Sequence, residues 1–251
     1  MTAPRKTTNQ PVKVRQFLLP KQGHDLTECE DAIGVNETLH RFAVADGATE
    51  AFDAGSWARR LAHSWVHRNE VLTRDEFWQW LTEEGHSLAD SWKGQQLSWY
   101  SEAKQRSGSF AAFVGVELDA NAHWTAIALG DCCLIQIRAD EIVESFPLSK
   151  TTDFGSAPIL APSLTAANSH ALAQVVIKSG TTEPGDELLL LSDAIAAWFL
   201  TLHQQGNAKI KALFAELVAS GNTEPLVEFL ELQRSSGHLK NDDIAIVSLV
   251  I

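Results

Sequence analysis

Five acidic sites in this 251-residue chain stand where strand-like apolar runs begin or end. "RFAVADGATEAF" carries a run from Arg41 to Ala45 into Asp46-Gly47. "LTECEDAIGV" sets Glu28, Glu30 and Asp31 just ahead of a run at Ala32–Val35. "WTAIALGDCCLIQIR" places Gly130-Asp131 between two apolar segments. "DELLLLSDAIAAW" leads Leu188–Leu191 into Ser192-Asp193, and "HLKNDDIAIVSLVI" puts Asp242-Asp243 before the last run. Asp-Gly is an ordinary turn pair, so one such site decides nothing. Recurrence carries more weight, because neighbouring strands bring their ends together and acids there can converge on one rim. Two carboxylates about 4 Å apart repel by about 1–4 kcal/mol, so a gathered set calls for cations. An all-oxygen donor set selects Mg²⁺ or Mn²⁺ rather than Zn²⁺. The histidines are scattered; His24, His63, His67 and His238 read as surface or core residues.

The elements that must position these acids follow from periodicity. Strand patterns cover Val14–Leu19, Ala32–Val35 and Arg41–Ala45. Trp57, Leu61, Trp65 and Leu72 then recur at helical spacing, and Phe77, Trp80, Leu81, Leu88 and Trp92 continue it. Strands return at Ser109–Leu118, His123–Leu129, Cys132–Arg138 and Glu141–Phe146. The stretch from Leu148 to His170 is rich in Pro, Ser, Thr and Gly and reads as a long loop. Strands resume at Leu172–Lys178 and Glu187–Leu191, helices at Ala194–Gln204, Ala208–Ser220 and Glu224–Ser235, and a strand at Ile244–Ile251. Strict βαβ alternation is absent. The two helical blocks predict an α+β fold, with antiparallel sheets face to face and a helical layer outside each. Most of the eight tryptophans fall in the early helical block and are expected in the core.

A formal charge of −12 disfavours binding to phosphate backbones, so nucleic acid is not an expected partner. No apolar run reaches the length of a membrane span, and the first thirteen residues read as a polar tail without a secretory apolar segment. Cys29, Cys132 and Cys133 make neither a disulfide framework nor a CxxC site, which points to the cytoplasm. Cys132 and Cys133 are expected to face opposite sides of a strand.

"ECEDA", "FAVADGATE", "ALGDCCLIQI", "LLLLSDA" and "NDDIAIVSLVI" occur in the order and spacing of the metal-dependent serine/threonine protein phosphatases of type 2C. The chain resembles that family, in its bacterial stand-alone form, over residues 14–251. The resemblance implies a four-layer αββα sandwich and two Mg²⁺ or Mn²⁺ ions, with a third, weaker one. It implies that Asp46 bridges two ions and that the Gly47 carbonyl binds one of them. Glu30 matches the acid of the second ion, with Asp31 supporting the chemistry beside it. Asp193 and Asp242 match the acids of the first ion. Asp131 matches the acid that, with Asp193, holds the third ion, and Asp243 lies just behind the ligands. The implied reaction is hydrolysis of phosphoserine or phosphothreonine in a protein substrate by a metal-activated water.

The chain departs from the family at several positions. The family's phosphate-gripping Arg, four residues before the acid at Glu30, is Leu26, and the Asn before that acid is Cys29. Ala194 replaces the Gly after Asp193, and Ala48 stands where many eukaryotic members have His. Arg41, Arg106 and Lys21 are the candidates for a substitute anchor. The long loop lies where bacterial members carry a flap, and it is either a substrate gate or a plain connection. Two alternatives therefore stand beside the phosphatase: a catalytically weak relative serving as a binding or sensory module, and a hydrolase of small phosphoesters.

Overall fold

The computed structural model describes residues 12–68, 73–94, 98–155 and 158–251, apart from the side chains of 208–211. Most of the expected tail, and Leu72, lie outside the described residues; Lys13 already belongs to a strand. The first sheet contains β1 (Lys13–Leu19), β6 (Cys133–Arg138), β7 (Glu141–Phe146), β10 (Glu187–Leu191) and β11 (Ile244–Val250). Its order is β1-β11-β10-β6-β7. The second contains β2 (Asp31–Asn36), β3 (Arg41–Gly47), β4 (Phe110–Leu118), β5 (His123–Leu129) and β9 (Val176–Thr181), in the order β2-β3-β4-β5-β9. A two-residue strand, β8 (Ala161–Pro162), pairs with β4. All these pairings are antiparallel.

Alternation along the strands explains why the apolar runs are nearly continuous. Leu188 and Leu190, with Ala245 and Val247, face the other sheet, where Phe42, Val44, Val114 and Val116 meet them. Leu189, Leu191, Ile244 and Ile246 face outward onto α4 (Asp193–Gln204), α5 (Ala208–Ser220) and α6 (Glu224–Ser235), where Trp198, Phe199 and Leu230 cover them. The second sheet turns Ala43, Ala45, Phe113 and Ile127 outward onto α1 (Ala54–Val66) and α2 (Arg74–Ser91). Each central strand is thus buried on both faces. The result is the αββα sandwich. Cys132, just ahead of β6, falls in the core between the sheets and Cys133, its first residue, in the outer one, on opposite sides as expected.

Small residues let α1 approach its sheet closely. A Cβ at Gly34 would collide with the Ala62 carbonyl oxygen, and one at Gly115 would strike the Trp65 ring. Trp57, Trp65, Trp80 and Trp92 are buried as expected, but Trp99 is 82 % exposed. It opens α3 (Trp99–Ser107), a polar helix with no buried residue whose start Ser98 caps by accepting from the Ser101 N–H. Sequence periodicity does not reveal this helix because it has no apolar face. The expected strand from Leu172 begins only at Val176, because 3₁₀ turns occupy Thr165–Gln174.

The long loop is tethered at both ends. Thr151 Oγ1 donates to Gln204 Oε1 at 2.9 Å, while Leu148 and Phe154 pack on the α4–α6 core. Further along, Trp57 Nε1 donates to the Ala161 carbonyl at 2.9 Å, and the Ser109 N–H donates to Ser163 Oγ at 2.9 Å. A Cβ at Gly85 of α2 would overlap the Ser163 carbonyl. Among the described residues no helix is long and apolar enough to cross a membrane.

Candidate metal centre

The strand ends bearing the acids meet on one rim of the sandwich. Asp31 begins β2 and Asp46 stands one residue before the end of β3, and the antiparallel register sets the two opposite each other. Asp131 lies in the turn that carries the chain from β5 of one sheet to β6 of the other. In the facing sheet, the end of β10 and the start of β11 are tied together. The Ser192 N–H donates to the Ala245 carbonyl at 3.1 Å, and the Ala245 N–H donates to Ser192 Oγ at 3.0 Å. That pairing places Asp193, first residue of α4, beside Asp242 and Asp243. Gly47 is needed for packing as well: a Cβ there would stand 2.7 Å from the Ala54 carbonyl group.

The acids feel one another. Asp31 is only 2 % exposed. It accepts a hydrogen bond from the Ser192 side chain, yet its Oδ2 has no hydrogen-bond partner. Burial pushes its carboxyl well above the usual range against the help of Ser192, and Asp243, Asp193 and Asp242 push it further. Asp46 keeps some exposure at the rim. Burial, then Asp31, Asp193, Asp131 and Asp242, drive its carboxyl well up. Asp131 is raised to about 6, by burial first and Asp193 next. So Asp31, Asp46, Asp131, Asp193 and Asp242, distant in sequence, share one electrostatic site. Among the described residues, however, no three Asp, Glu, His or Cys side chains form a ready-made metal cage. Two lysines stand among the carboxylates.

Lys240 Nζ lies 2.6 Å from Asp242 Oδ2 and 3.4 Å from Asp193 Oδ2. Lys21 Nζ lies 3.4 Å from Glu30 Oε2. Glu30 is held through its backbone: its N–H donates to Asp243 Oδ2 at 2.8 Å, and its carbonyl accepts from the Gly47 N–H at 3.1 Å. Asp243 Oδ1 accepts from the Lys21 N–H at 2.8 Å, so this buried carboxylate clamps both ends of the segment from Lys21 to Glu30. Arg234 of α6 adds a second clamp, donating to the Pro20 carbonyl at 3.0 Å and to the Asp242 carbonyl. Sequence reasoning missed Ser192, Arg234 and Lys240. Ser192 and Lys240 stood inside quoted motifs, but Arg234, on the last helix, gave no signal.

The substitute anchors separate clearly. Arg41 stands at the opposite end of β3, five residues and roughly 17 Å from Asp46 at strand rise. It is buried and paired with Glu117, Nη2 to Oε2, at 2.8 Å. Arg106 lies on α3 beside Glu102 at 3.5 Å, its side chain 80 % exposed. Only Lys21 joins the acid rim. Leu26 is 62 % exposed and lines a cleft of about 400 Å³ with Cys29, Asp31, Arg59 and His63. Arg59 Nη1 donates to the Cys29 carbonyl there at 3.3 Å. The long loop also passes this rim, since a Cβ on Gly130, next to Asp131, would touch Leu160.

The donors are oxygens throughout, and one buried carboxylate oxygen lacks a partner, so the residues suit divalent cations in chemistry and in unmet charge. No family model matches the sequence, and a search of curated proteins finds no match. Solved structures do match over nearly the whole chain. Stp1 from Staphylococcus aureus, a serine/threonine phosphatase, is 16 % identical, covering 100 % of this chain and 99 % of its own with a TM-score of 0.61. The catalytic domain of the serine/threonine protein phosphatase PstP, solved with two manganese ions, is 14 % identical, covering 96 % and 100 % with a TM-score of 0.59. PppA, a key regulatory component of T6SS in Pseudomonas aeruginosa, is 13 % identical, covering 96 % and 98 % with a TM-score of 0.60. The chain has the fold of the type 2C serine/threonine phosphatases.

Proposed function

We propose that the chain is a metal-dependent phosphoprotein phosphatase that hydrolyses phosphoserine and phosphothreonine at the acid rim. The observation that carries this reading is Asp31 Oδ2, buried without a partner amid carboxylates drawn from both sheets. Asp46, Glu30 and the Gly47 carbonyl, with Asp193 and Asp242, are the groups that would hold two Mg²⁺ or Mn²⁺ ions, and Asp131 with Asp193 a third. Such ions lower the pKa of water and neutralise charge developing on a phosphoryl group. Asp31, hydrogen-bonded by Ser192, offers its unpartnered Oδ2 to orient an attacking water. Asp243 and Arg234 keep Glu30 and Asp242 in place from behind. Three buried, unbridged cysteines suit the reducing cytoplasm.

Leu26 and Ala194 favour a second reading, a weakly active or inactive relative that binds a partner, because position 26 carries no charge where the family has its phosphate-gripping Arg, and the nearby cations Lys21 and Arg59 are engaged with Glu30 and the Cys29 carbonyl. Phosphate release separates the two. The enzyme reading predicts turnover of phosphoserine peptides above that of p-nitrophenyl phosphate, supported by Mn²⁺ or Mg²⁺. Excess EDTA followed by dialysis should abolish it, and Mn²⁺ should restore it. Undiminished turnover after that treatment rules out the metal-dependent mechanism. A higher rate on small phosphoesters would assign the chain to them instead.

A further inference from the structure

We propose that Lys240 is a built-in counter-cation of the acid rim, occupying the carboxylate edges of Asp193 and Asp242 that a divalent ion needs. This rests on the metal-dependent reading above and concerns how its site is loaded. Lys240 Nζ contacts Asp242 Oδ2 at 2.6 Å and Asp193 Oδ2 at 3.4 Å, spanning the end of β10 and the start of β11. Those are the two acids assigned to the first ion. A divalent ion drawing on those oxygens would stand within a few ångströms of the ammonium, and like charges that close compete for the same carboxylates. Metal therefore enters by displacing Lys240.

The lysine is placed to leave. Its side chain is 64 % exposed, and it sits in the connection between α6 and β11 rather than on a regular element. Swinging a flexible four-carbon stem into water costs little. Asp31 Oδ2, buried on the same rim, is not reached by this ammonium and keeps no hydrogen-bond partner. The rim thus combines an acid held ready for a cation with acids already neutralised by the chain. The consequence is weaker metal binding than the acids alone would give, together with a metal-free state less strained by repulsion.

Isothermal titration of Mn²⁺ into the full chain tests this. Lys240→Met keeps the stem and removes the charge; it should bind Mn²⁺ about fivefold more tightly than wild type, as for loss of one partly exposed ion pair. Its metal-free form should melt lower. Lys240→Arg keeps the charge and should match wild type within about twofold. Wild type that binds Mn²⁺ with an affinity unchanged in Lys240→Met overturns the role of Lys240 and leaves the metal reading standing. Unchanged affinity with a raised KM for p-nitrophenyl phosphate also overturns it, making Lys240 a contact to substrate phosphate. Absence of Mn²⁺ binding in both proteins overturns the metal reading, and this one with it.

Discussion

Asp186 and Asp31 are both almost fully buried, at 1 % and 2 % exposure, but they lie near opposite ends of β10 and are treated differently. Asp186 accepts from Arg138 Nε at 2.8 Å and Nη2 at 2.7 Å, from Gln136 Nε2 at 2.7 Å and from the Glu183 N–H at 2.9 Å. Gln136 in turn accepts from Trp124 Nε1 at 3.0 Å, so the network reaches into the core. The Arg138 hydrogen bonds hold the Asp186 carboxyl below its ordinary value, against its burial. Asp31 has one side-chain partner, Ser192, an orphaned oxygen and several acids for neighbours. A buried carboxylate that serves the fold is saturated with donors. One left short of them, among like charges, is retained against stability, and such sites are where function concentrates.

The contrast can be broken most decisively at the acid rim. Asp46→Asn and Asp193→Asn should each lower phosphopeptide turnover by at least ~10²-fold, as loss of a charge-stabilising group does. The melting temperature should hardly fall. Activity surviving in both variants would make the acid rim a second structural network. At the other end, Asp186→Ala should leave catalysis intact and cost about 2 kcal/mol, because it removes the acceptor shared by Arg138, Gln136 and the Glu183 N–H, although Glu183 and the Thr181 carbonyl still hold Arg138 and Gln136. Urea unfolding measures this, and a loss under about 1 kcal/mol would remove the distinction between the two ends.

The smallest effect is the pH dependence. Carboxyls raised on folding bind protons more tightly in the folded chain, so their stabilisation is present below the unfolded value near ~4. It is lost as pH rises through the folded values, about 6 for Asp131 and also raised for Asp31 and Asp46. Chelator-treated protein should therefore melt higher at pH 5 than at pH 8. Asp31→Asn should shrink that difference and stabilise the protein at pH 8 by about 1 kcal/mol. Asp186 has the opposite sign: its contribution holds above ~4 and fails only in stronger acid. A melting temperature that climbs steadily from pH 5 to pH 8 would contradict the unmet charge at the rim.

Much of this was legible in the residues. Apolar runs of strand length, nearly continuous because both faces of each central strand are covered, fixed the strands. The helical spacing of Trp57, Leu61 and Trp65 fixed α1, and the recurrence of acids at strand ends marked the rim. Polar α3 escaped because periodicity detects only an apolar stripe. The 3₁₀ turns of Thr165–Gln174 escaped because an apolar residue in a turn and one in a strand look alike over so short a stretch.

The sequence by itself determined which acids close or open strands, since that depends on local pattern and turn chemistry. Only the tertiary structure decided which charges face them. Arg41 was removed to the far end of β3 and neutralised by Glu117, while Lys21, Lys240 and Arg234 were brought to the acids from distant segments. The physical reason is that electrostatic partners are set by distance in space. Strand order and register, which bring residue 21 to residue 243 and residue 193 to residue 240, come from the packing of two sheets rather than from any local stretch of chain.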